Sequence, residues 1–344
     1  MASTSRIFKL RTRRVLLAAS WFVAAIGFAH QPSHAALNPT DALLQKAIEK
    51  SLTVRGDEAL PTARAVRDIE PRSRLAHWLE AQNVLATSGL ATQVKKSDLD
   101  LVRESEARLH RVPEGHLPAN IIALADNLNI GRYLLLSDLS ISRIYIFDLA
   151  QKKPTLIREI YSSIGLAGAI KQREGDRKTP IGVYRLMKEI RNPRPDGFLG
   201  DLAITLDYPN AEDRRAQRTG SGIWIHGVPQ EVHVRPPRSS DGCLAVANSD
   251  MEMIRNYVEF GKTHIVIAPD IQWLSPADWE AHQAKRLALM GMNRQSVHLA
   301  NQAVFFVSES RPIVAIQRDP QGLRRLYWAQ QQRQASGPML VEDL

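Results

Sequence analysis

The chain contains a single cysteine, Cys243, whose surroundings predict a Cys–His nucleophile pair. Cys243 stands within Ser240-Asp241-Gly242-Cys243-Leu244, and His226 ends an apolar run seventeen positions earlier. The thiolate is the reactive form of cysteine, whereas a free thiol with a pKa of about 8.5 is mostly protonated at neutral pH. An imidazole that accepts the thiol proton would activate Cys243 for attack on a carbonyl carbon.

The residues beside the cysteine suggest how the backbone could assist this chemistry. Gly242 allows backbone angles that other residues avoid. The N–H groups of the turn Gly242-Cys243-Leu244 are therefore a candidate oxyanion hole. Residues 228–241 form a polar, proline-containing connection that could wall the site. The spacing alone leaves an alternative open, because a buried unreactive cysteine beside a strand-end histidine would show the same pattern.

Short apolar runs separated by Gly, Pro and Asp predict a mostly β region around these residues. We expect strands at 133–137, 143–148, 155–161, 181–186, 203–206, 222–226 and 264–268. One helix, from Ser249 through Phe260, interrupts the series and stops before Gly261. A mostly β domain is therefore expected to span residues 132–269.

The flanking regions follow different patterns. Residues 41–127 repeat apolar side chains at helical spacing in four segments, so an α-helical leader region is expected over 36–131. Prolines and a glycine near 113–118 mark a linker. Residues 270–344 begin with a helix near Ser275 and continue with strand patterns at 303–307, 312–316 and 325–328. This predicts a small α+β C-terminal extension.

The N-terminus has the pattern of an export signal. A largely apolar run covers residues 15–29, and small residues at 33–35 would permit cleavage before Ala36. The run is short for a membrane span, which needs roughly 20 residues, so cleavage is favoured over an anchor helix. We expect a periplasmic or cell-envelope protein, and a weak twin-arginine pattern leaves the export route open. The basic residues before the run are Arg6, Lys9, Arg11, Arg13 and Arg14.

Charge and hydropathy exclude some functions. Removing residues 1–35 removes five positive charges, which lowers the formal charge from +9 to +4. Such a mildly basic protein suits an anionic envelope. The sequence has no arginine-rich tract with interleaved aromatic residues, so no nucleic-acid partner is expected. Contact with a membrane is expected only through the signal segment.

Two ordered motifs resemble the catalytic domain of the L,D-transpeptidase (YkuD) family. The family signature is a His-Gly pair, roughly fifteen residues, and then Ser/Thr-x-Gly-Cys. Here it stands as His226-Gly227 and Ser240-Asp241-Gly242-Cys243. An upstream Thr-Pro-x-Gly-x-Tyr/Phe segment corresponds to residues 179–184. The resemblance covers residues 132–269; the flanks more loosely resemble a branch with a helical leader and a shortened NTF2-like extension.

The resemblance implies a β-sandwich fold and thiol acyl transfer without a metal or other cofactor. Cys243 would attack the carbonyl of an L-to-D peptide bond in a peptidoglycan stem peptide, with His226 as general base and acid. D-alanine would leave, and the side-chain amine of a neighbouring diamino acid would resolve the acyl-enzyme into a 3→3 cross-link. Gly227 and Gly242 would shape the backbone, and Ser240 would support the site by hydrogen bonding.

One position departs from the family pattern. Many members carry an arginine two residues after the cysteine, where this chain has Ala245. An arginine there would suit the orientation of polar groups or a substrate carboxylate. Arg235 and Arg238, in the connection before the cysteine, could serve the same purpose as substrate-binding residues, or could belong to a solvated loop.

Three further residues near the motifs have two interpretations. Tyr184 and Trp224 could line the substrate cleft or pack in the core. His233 could be mistaken for the catalytic base, but it lacks the glycine that follows His226, and we expect a structural role.

The second reactant is left open by the sequence. The leading hypothesis is acyl transfer to a diamino acid amine, which would give a cross-link or attach a protein to the wall. Water as acceptor would make the protein a peptidoglycan amidase or endopeptidase. A non-catalytic wall-binding scaffold is the third possibility. The expected partners are peptidoglycan stem peptides and, in one version, a wall-attached protein.

Overall fold

We describe a computed structural model of the chain over residues 36–344, except 55, 91–93, 126–129, 151–152, 321 and 331–336. The predicted signal segment, residues 1–35, lies outside the described residues. In the described ranges, every helix is too short or too polar to cross a membrane.

The first unit is a small helical bundle, called the helical unit below. Asn38 caps its first helix, because its Oδ1 accepts the Asp41 N–H at 2.7 Å. Apolar side chains from the helices form a separate core that includes Leu44, Val66 and Leu75. The helices are α1 Pro39–Thr53, α2 Gly56–Ile69, α3 Arg74–Thr87 and α4 Leu99–Leu109, with a 3-10 turn at Lys96–Asp98.

The prediction of helix over 41–127 is wrong beyond Leu109. Two strands follow instead, β1 (Leu117–Pro118) and β2 (Ile121–Leu124). Pro118 lacks the N–H that a helix interior needs, and β-branched residues such as Ile121 favour a strand. Their pairing partners lie about 150 or more residues later in the chain, so local periodicity gave no sign of them.

A curled sheet forms the catalytic region. Among the described residues its order is β11-β9-β8-β7-β12-β3-β4-β5, and β10 pairs with β6 beside it. Its strands are β3 Tyr133–Asp138, β4 Arg143–Asp148, β5 Thr155–Tyr161, β6 Ile164–Gly165, β7 Gly182–Arg191, β8 Leu202–Leu206, β9 Trp224–His226, β10 Arg238–Ser240, β11 Leu244–Ala245 and β12 His264–Ala268. The predicted fold class, a mostly β catalytic domain behind a helical region, is confirmed.

The helices of this region differ from the prediction. A short helix, α5 (Ala211–Arg215), precedes β9 and was not expected. Asn210 caps it by accepting the Asp213 N–H at 2.9 Å. The predicted helix after the cysteine is α6, which covers Asn248–Arg255 and ends earlier than Phe260.

The C-terminal extension combines helices with a second sheet. In the described residues this sheet has the order β17-β16-β15-β14-β2, so a strand from before the catalytic region completes it. The short strands β1 and β13 also pair. The elements are β13 Trp273–Leu274, α7 Pro276–Leu289, α8 Arg294–Leu299, β14 Gln302–Phe305, β15 Ile313–Asp319, β16 Gly322–Trp328 and β17 Leu340–Asp343. One hydrophobic core, which includes Val183, Ile265 and Phe305, joins this sheet to the catalytic sheet.

Candidate active site

The fold brings the two predicted catalytic residues to neighbouring strands at one edge of the catalytic sheet. Strands β9 and β11 run parallel, with Ala245 beside His226 and Leu244 beside Ile225. The Val246 N–H donates to the His226 carbonyl at 3.0 Å, which extends the pairing past β11. Cys243 directly precedes β11, so two residues that are seventeen positions apart in the sequence lie on neighbouring segments of the sheet edge.

The thiol of Cys243 lies in a polar cradle made by the backbone before β9. The Trp224 N–H points to Sγ at 3.4 Å, and the thiol donates to the Gly222 carbonyl at 3.3 Å. The residue keeps some solvent exposure, yet burial of the thiol raises its pKa to about 11. The Trp224 N–H and the positive charge of Arg235 act in the opposite direction on this pKa. Cys243 is therefore a protonated thiol at neutral pH.

His226 is almost fully buried, with 1% of its surface exposed. Its Nδ1 lies 2.6 Å from the Gly227 carbonyl oxygen. Because a carbonyl can only accept, Nδ1 carries the hydrogen and Nε2 keeps a free electron pair. Burial lowers the pKa of His226 to about 4, against the opposing effect of that hydrogen bond. The resting pair is thus a neutral thiol and a neutral imidazole in a tautomer suited to a general base, rather than an ion pair.

Ser240 and Gly242 shape the turn that holds the cysteine. The Ser240 hydroxyl donates to the Cys243 carbonyl at 2.7 Å and accepts the Gly242 N–H at 3.1 Å. Gly242 has φ +127°, and a Cβ there would stand 2.7 Å from the Lys178 carbonyl oxygen. Glycine is needed for both reasons. The Gly242 N–H already donates to Ser240, and Leu244 belongs to the β11–β9 strand pair. An oxyanion hole in this turn would therefore use the Cys243 N–H.

An asparagine that the sequence analysis did not single out fixes the chain just after His226. The Asn248 side chain accepts the Val228 N–H and donates to the Val228 carbonyl, both at 2.9 Å. A Cβ at Gly227 would stand 2.1 Å from Asn248 Oδ1, and one at Gly200 would stand 2.6 Å from it. These two glycines therefore let the amide approach. The sequence signal was present only as an asparagine five residues after the cysteine, which specifies no partner.

The upstream Thr-Pro motif packs beside the turn that carries Cys243. Thr179 is fully buried, and its hydroxyl accepts the Gly165 N–H at 2.9 Å. A Cβ at Gly165 would stand 2.5 Å from the Arg177 carbonyl oxygen, so this loop packs closely on β6. The next carbonyl, from Lys178, faces Gly242. The two motifs of the sequence are therefore in direct contact.

The predicted substrate-binding residues differ in burial and in contacts. The Arg235 guanidinium lies 4.0 Å from the centre of the Phe198 ring and also donates to the Phe198 carbonyl. Its positive charge lowers the pKa values of Cys243 and His226. Trp224 is half-buried and contacts the thiol through its N–H, whereas Arg238 is exposed on β10.

The cleft role predicted for Tyr184 is wrong. Its side chain is fully buried, and its hydroxyl donates to the Ile181 carbonyl at 3.2 Å. The ring packs edge-on against Tyr208, with ring centres 5.8 Å apart. An aromatic residue in a strand faces core or cleft according to register, which the motif did not specify.

Within the described ranges, no group of three or more His, Cys, Asp or Glu side chains could hold a metal ion.

Comparison with known proteins agrees with this geometry. Residues 132–267 match the YkuD family, described as the L,D-transpeptidase catalytic domain. This match confirms the resemblance that the motifs predicted, for a family of peptidoglycan-modifying enzymes. The chain matches no curated protein.

Solved structures with detectable similarity include Bd1075 from Bdellovibrio bacteriovorus, at 23% identity and a TM-score of 0.47, covering 62% of this chain and 92% of that one. The helical cell shape determining protein Pgp2 from Campylobacter jejuni matches at 18% identity and a TM-score of 0.44, with coverages of 62% and 94%. L,D-transpeptidase 1 from Mycobacterium tuberculosis matches at 15% identity and a TM-score of 0.25, with coverages of 40% and 61%.

Proposed function

We propose, from the premise that residues 132–267 belong to the L,D-transpeptidase (YkuD) catalytic domain family, that this protein is an exported thiol acyltransferase of peptidoglycan stem peptides. The observation that carries the proposal is that Cys243 directly precedes β11 while His226 ends the neighbouring strand β9, with the imidazole in the tautomer of a base.

The proposed reaction begins with two neutral groups. As Sγ attacks the carbonyl carbon of the L-to-D peptide bond, Nε2 of His226 accepts the thiol proton. The tetrahedral intermediate collapses when the C–N bond breaks and the imidazolium returns that proton to the departing D-alanine amine. A thioester on Cys243 and free D-alanine remain.

The second half of the reaction resolves the thioester. The side-chain amine of a diamino acid attacks its carbonyl carbon while His226 accepts a proton from that amine. The C–S bond then breaks, the thiol regains the proton, and a new amide forms. Since the pKa of free Cys243 is raised to about 11, the sulfur is a poor nucleophile until a bound substrate brings the base into use.

Arg235 is our candidate for recognising the terminal carboxylate of the donor. Its guanidinium is held against Phe198, and its charge reaches Cys243. A planar guanidinium fixed in this way suits a carboxylate ligand. The donor would then need a free C-terminus, as a stem tetrapeptide has.

Incubation of the mature chain with purified stem tetrapeptides, read by mass spectrometry, tests the proposal. Transfer predicts a dimer formed with loss of one D-alanine, and Cys243→Ala should abolish it with an unchanged melting temperature. Persistence of product with Cys243→Ala would overturn the nucleophile assignment. A wild-type protein that never releases D-alanine would favour the non-catalytic scaffold hypothesis over both enzymatic ones.

Water is the second candidate acceptor, and the residue that favours it is Ala245. Its side chain is a buried methyl group beside His226, where many family members carry an arginine. An acceptor peptide has one less positive group to orient it there. Tripeptide and free D-alanine without any dimer, at every acceptor concentration, would establish hydrolysis and remove transfer.

A further inference from the structure

The helical unit contacts the connection that carries Arg235. Between α2 and α3, Glu70 accepts two hydrogen bonds from the Arg72 guanidinium, at 2.7 and 2.8 Å. Arg72 Nη1 then donates to the Gln230 carbonyl at 3.0 Å. Glu70 Oε2 also lies 3.3 Å from His233 Nδ1. This pair therefore holds the connection at two points, just before Arg235.

A second set of contacts supports Arg235 from behind. The Tyr161 hydroxyl donates to the Arg235 carbonyl at 2.9 Å. The Arg108 guanidinium of α4 lies 4.6 Å from the centre of the Tyr161 ring. Arg108 is itself buried between Asp41 at 2.5 Å and Glu104 at 2.9 Å. The backbone of Arg235 is thus braced by a residue that α1 and α4 lock in place.

We propose that the helical unit is a working part of the active site, in which Glu70 and Arg72 are positioning residues that fix the connection carrying Arg235 and so keep its guanidinium in place against Phe198. This inference rests on the proposed function for its biological meaning. Its test measures only the reactivity of Cys243, so the expected result is the same whether an amine or water is the acceptor. Hydrogen bonds suit this task because they fix particular atoms, whereas apolar packing tolerates sliding.

The sign of the expected effect separates positioning from direct electrostatics. Removal of the Glu70 carboxylate takes a negative charge away, which by itself would lower the pKa of Cys243 and speed its alkylation. Loss of Arg235 from its place removes a positive charge from the thiol and has the opposite effect. Slower alkylation of a Glu70 variant therefore indicates a displaced Arg235.

The test is iodoacetamide alkylation of the mature chain across a pH series, followed by the mass of the peptide that contains Cys243. We expect both Glu70→Ala and Arg235→Ala to slow alkylation at pH 8 about threefold, through a raised thiol pKa. The double variant should be no slower than Arg235→Ala alone, because both changes remove the same interaction. Arg72→Gln should show the same direction of effect.

The matched control is Arg67→Ala. Arg67 pairs with Glu80 at 2.6 Å inside the helical unit, and its side chain is 33% exposed against 43% for Arg72. This variant should alkylate at the wild-type rate. If Glu70→Ala fails to fold in a melting experiment, Arg72→Gln decides the question through its double variant with Arg235→Ala, which should alkylate no more slowly than Arg235→Ala alone.

Wild-type or faster alkylation of the folded variants, or additive slowing in the double variant, would overturn the inference. Unchanged alkylation in Arg235→Ala would overturn it too. Because the assay needs no substrate, a wild-type protein inactive on peptidoglycan would refute the proposed function separately.

Discussion

The catalytic region contacts the C-terminal extension mainly through a shared apolar core and the helical unit through polar contacts. At the C-terminal junction, side chains such as Phe305 and Tyr327 enter the same hydrophobic core as Ile265 of the catalytic sheet. A buried charge also crosses there, where Arg325 donates to Asp207 at 2.7 Å. At the helical junction, the contacts described above are polar, and Asn38 adds a hydrogen bond of 2.6 Å to Asp250.

The difference suggests that the C-terminal junction stabilises the fold and the helical junction positions residues of the site. Apolar burial stabilises in proportion to area and has little directional preference, so a shared core mainly keeps two units folded together. Polar contacts contribute less net free energy each, but they specify which atoms meet. We therefore expect damage at the C-terminal junction to appear as lost stability, and damage at the helical junction to appear in the reactivity of Cys243.

The largest expected effect is at the C-terminal junction. Phe305 is fully buried in β14, and Phe305→Ala should lower the free energy of unfolding by about 3–5 kcal/mol because it leaves a cavity. Urea denaturation measures this loss. The control Leu299→Ala, at a side chain that is 81% exposed, should change stability by less than about 0.5 kcal/mol. The comparison breaks if the folded Phe305→Ala protein also changes the alkylation pH profile of Cys243.

A smaller, pH-dependent effect is expected at the helical junction. Burial raises the pKa of Asp250 to about 7, above its value of about 3.9 in an unfolded chain. The folded state thus holds this proton more tightly, so the stability contributed by the neutral carboxyl is full below pH 4 and is lost as pH rises toward 7. Asp250→Asn should stabilise the protein at pH 8, on the order of 2–4 kcal/mol, and should have little effect at pH 4.

The accompanying control is the exposed Asp270→Asn, which should change the free energy of unfolding by less than about 0.5 kcal/mol. Equal stabilisation by Asp250→Asn at pH 4 and pH 8 would mean that its carboxyl does not titrate in this window. Burial of Asp250 at the helical junction would then cost less free energy at neutral pH than its raised pKa indicates.

The smallest expected effect concerns the site between the junctions. Alkylation of wild-type Cys243 should rise continuously from pH 7 to pH 10, because its thiol pKa is raised to about 11. The slope should be close to tenfold per pH unit, since the thiolate fraction grows by that factor below the pKa. A plateau near pH 8 would show an activated thiolate in the resting enzyme, contrary to the neutral pair described above.

Local sequence patterns predicted most of the strands and the site motifs of the catalytic region. The strand periodicity, the lone cysteine and the paired motifs predicted the mostly β domain, and the family match confirmed the resemblance. These features are readable because strand alternation and motif spacing involve residues near one another in the chain. Gly242 and Ser240 were likewise predicted to shape the turn, and both make the contacts that such a role requires.

Other features depended on contacts between distant residues. The sequence itself determined which groups could react, namely Cys243 and His226, and the strands that carry them. Only the tertiary structure decided that Tyr184 lies in the core, that Asn248 clamps the chain after His226, and that residues 121–124 join the C-terminal sheet. The protonation of the catalytic pair also belongs to the fold, because burial sets both pKa values and no single residue type encodes burial.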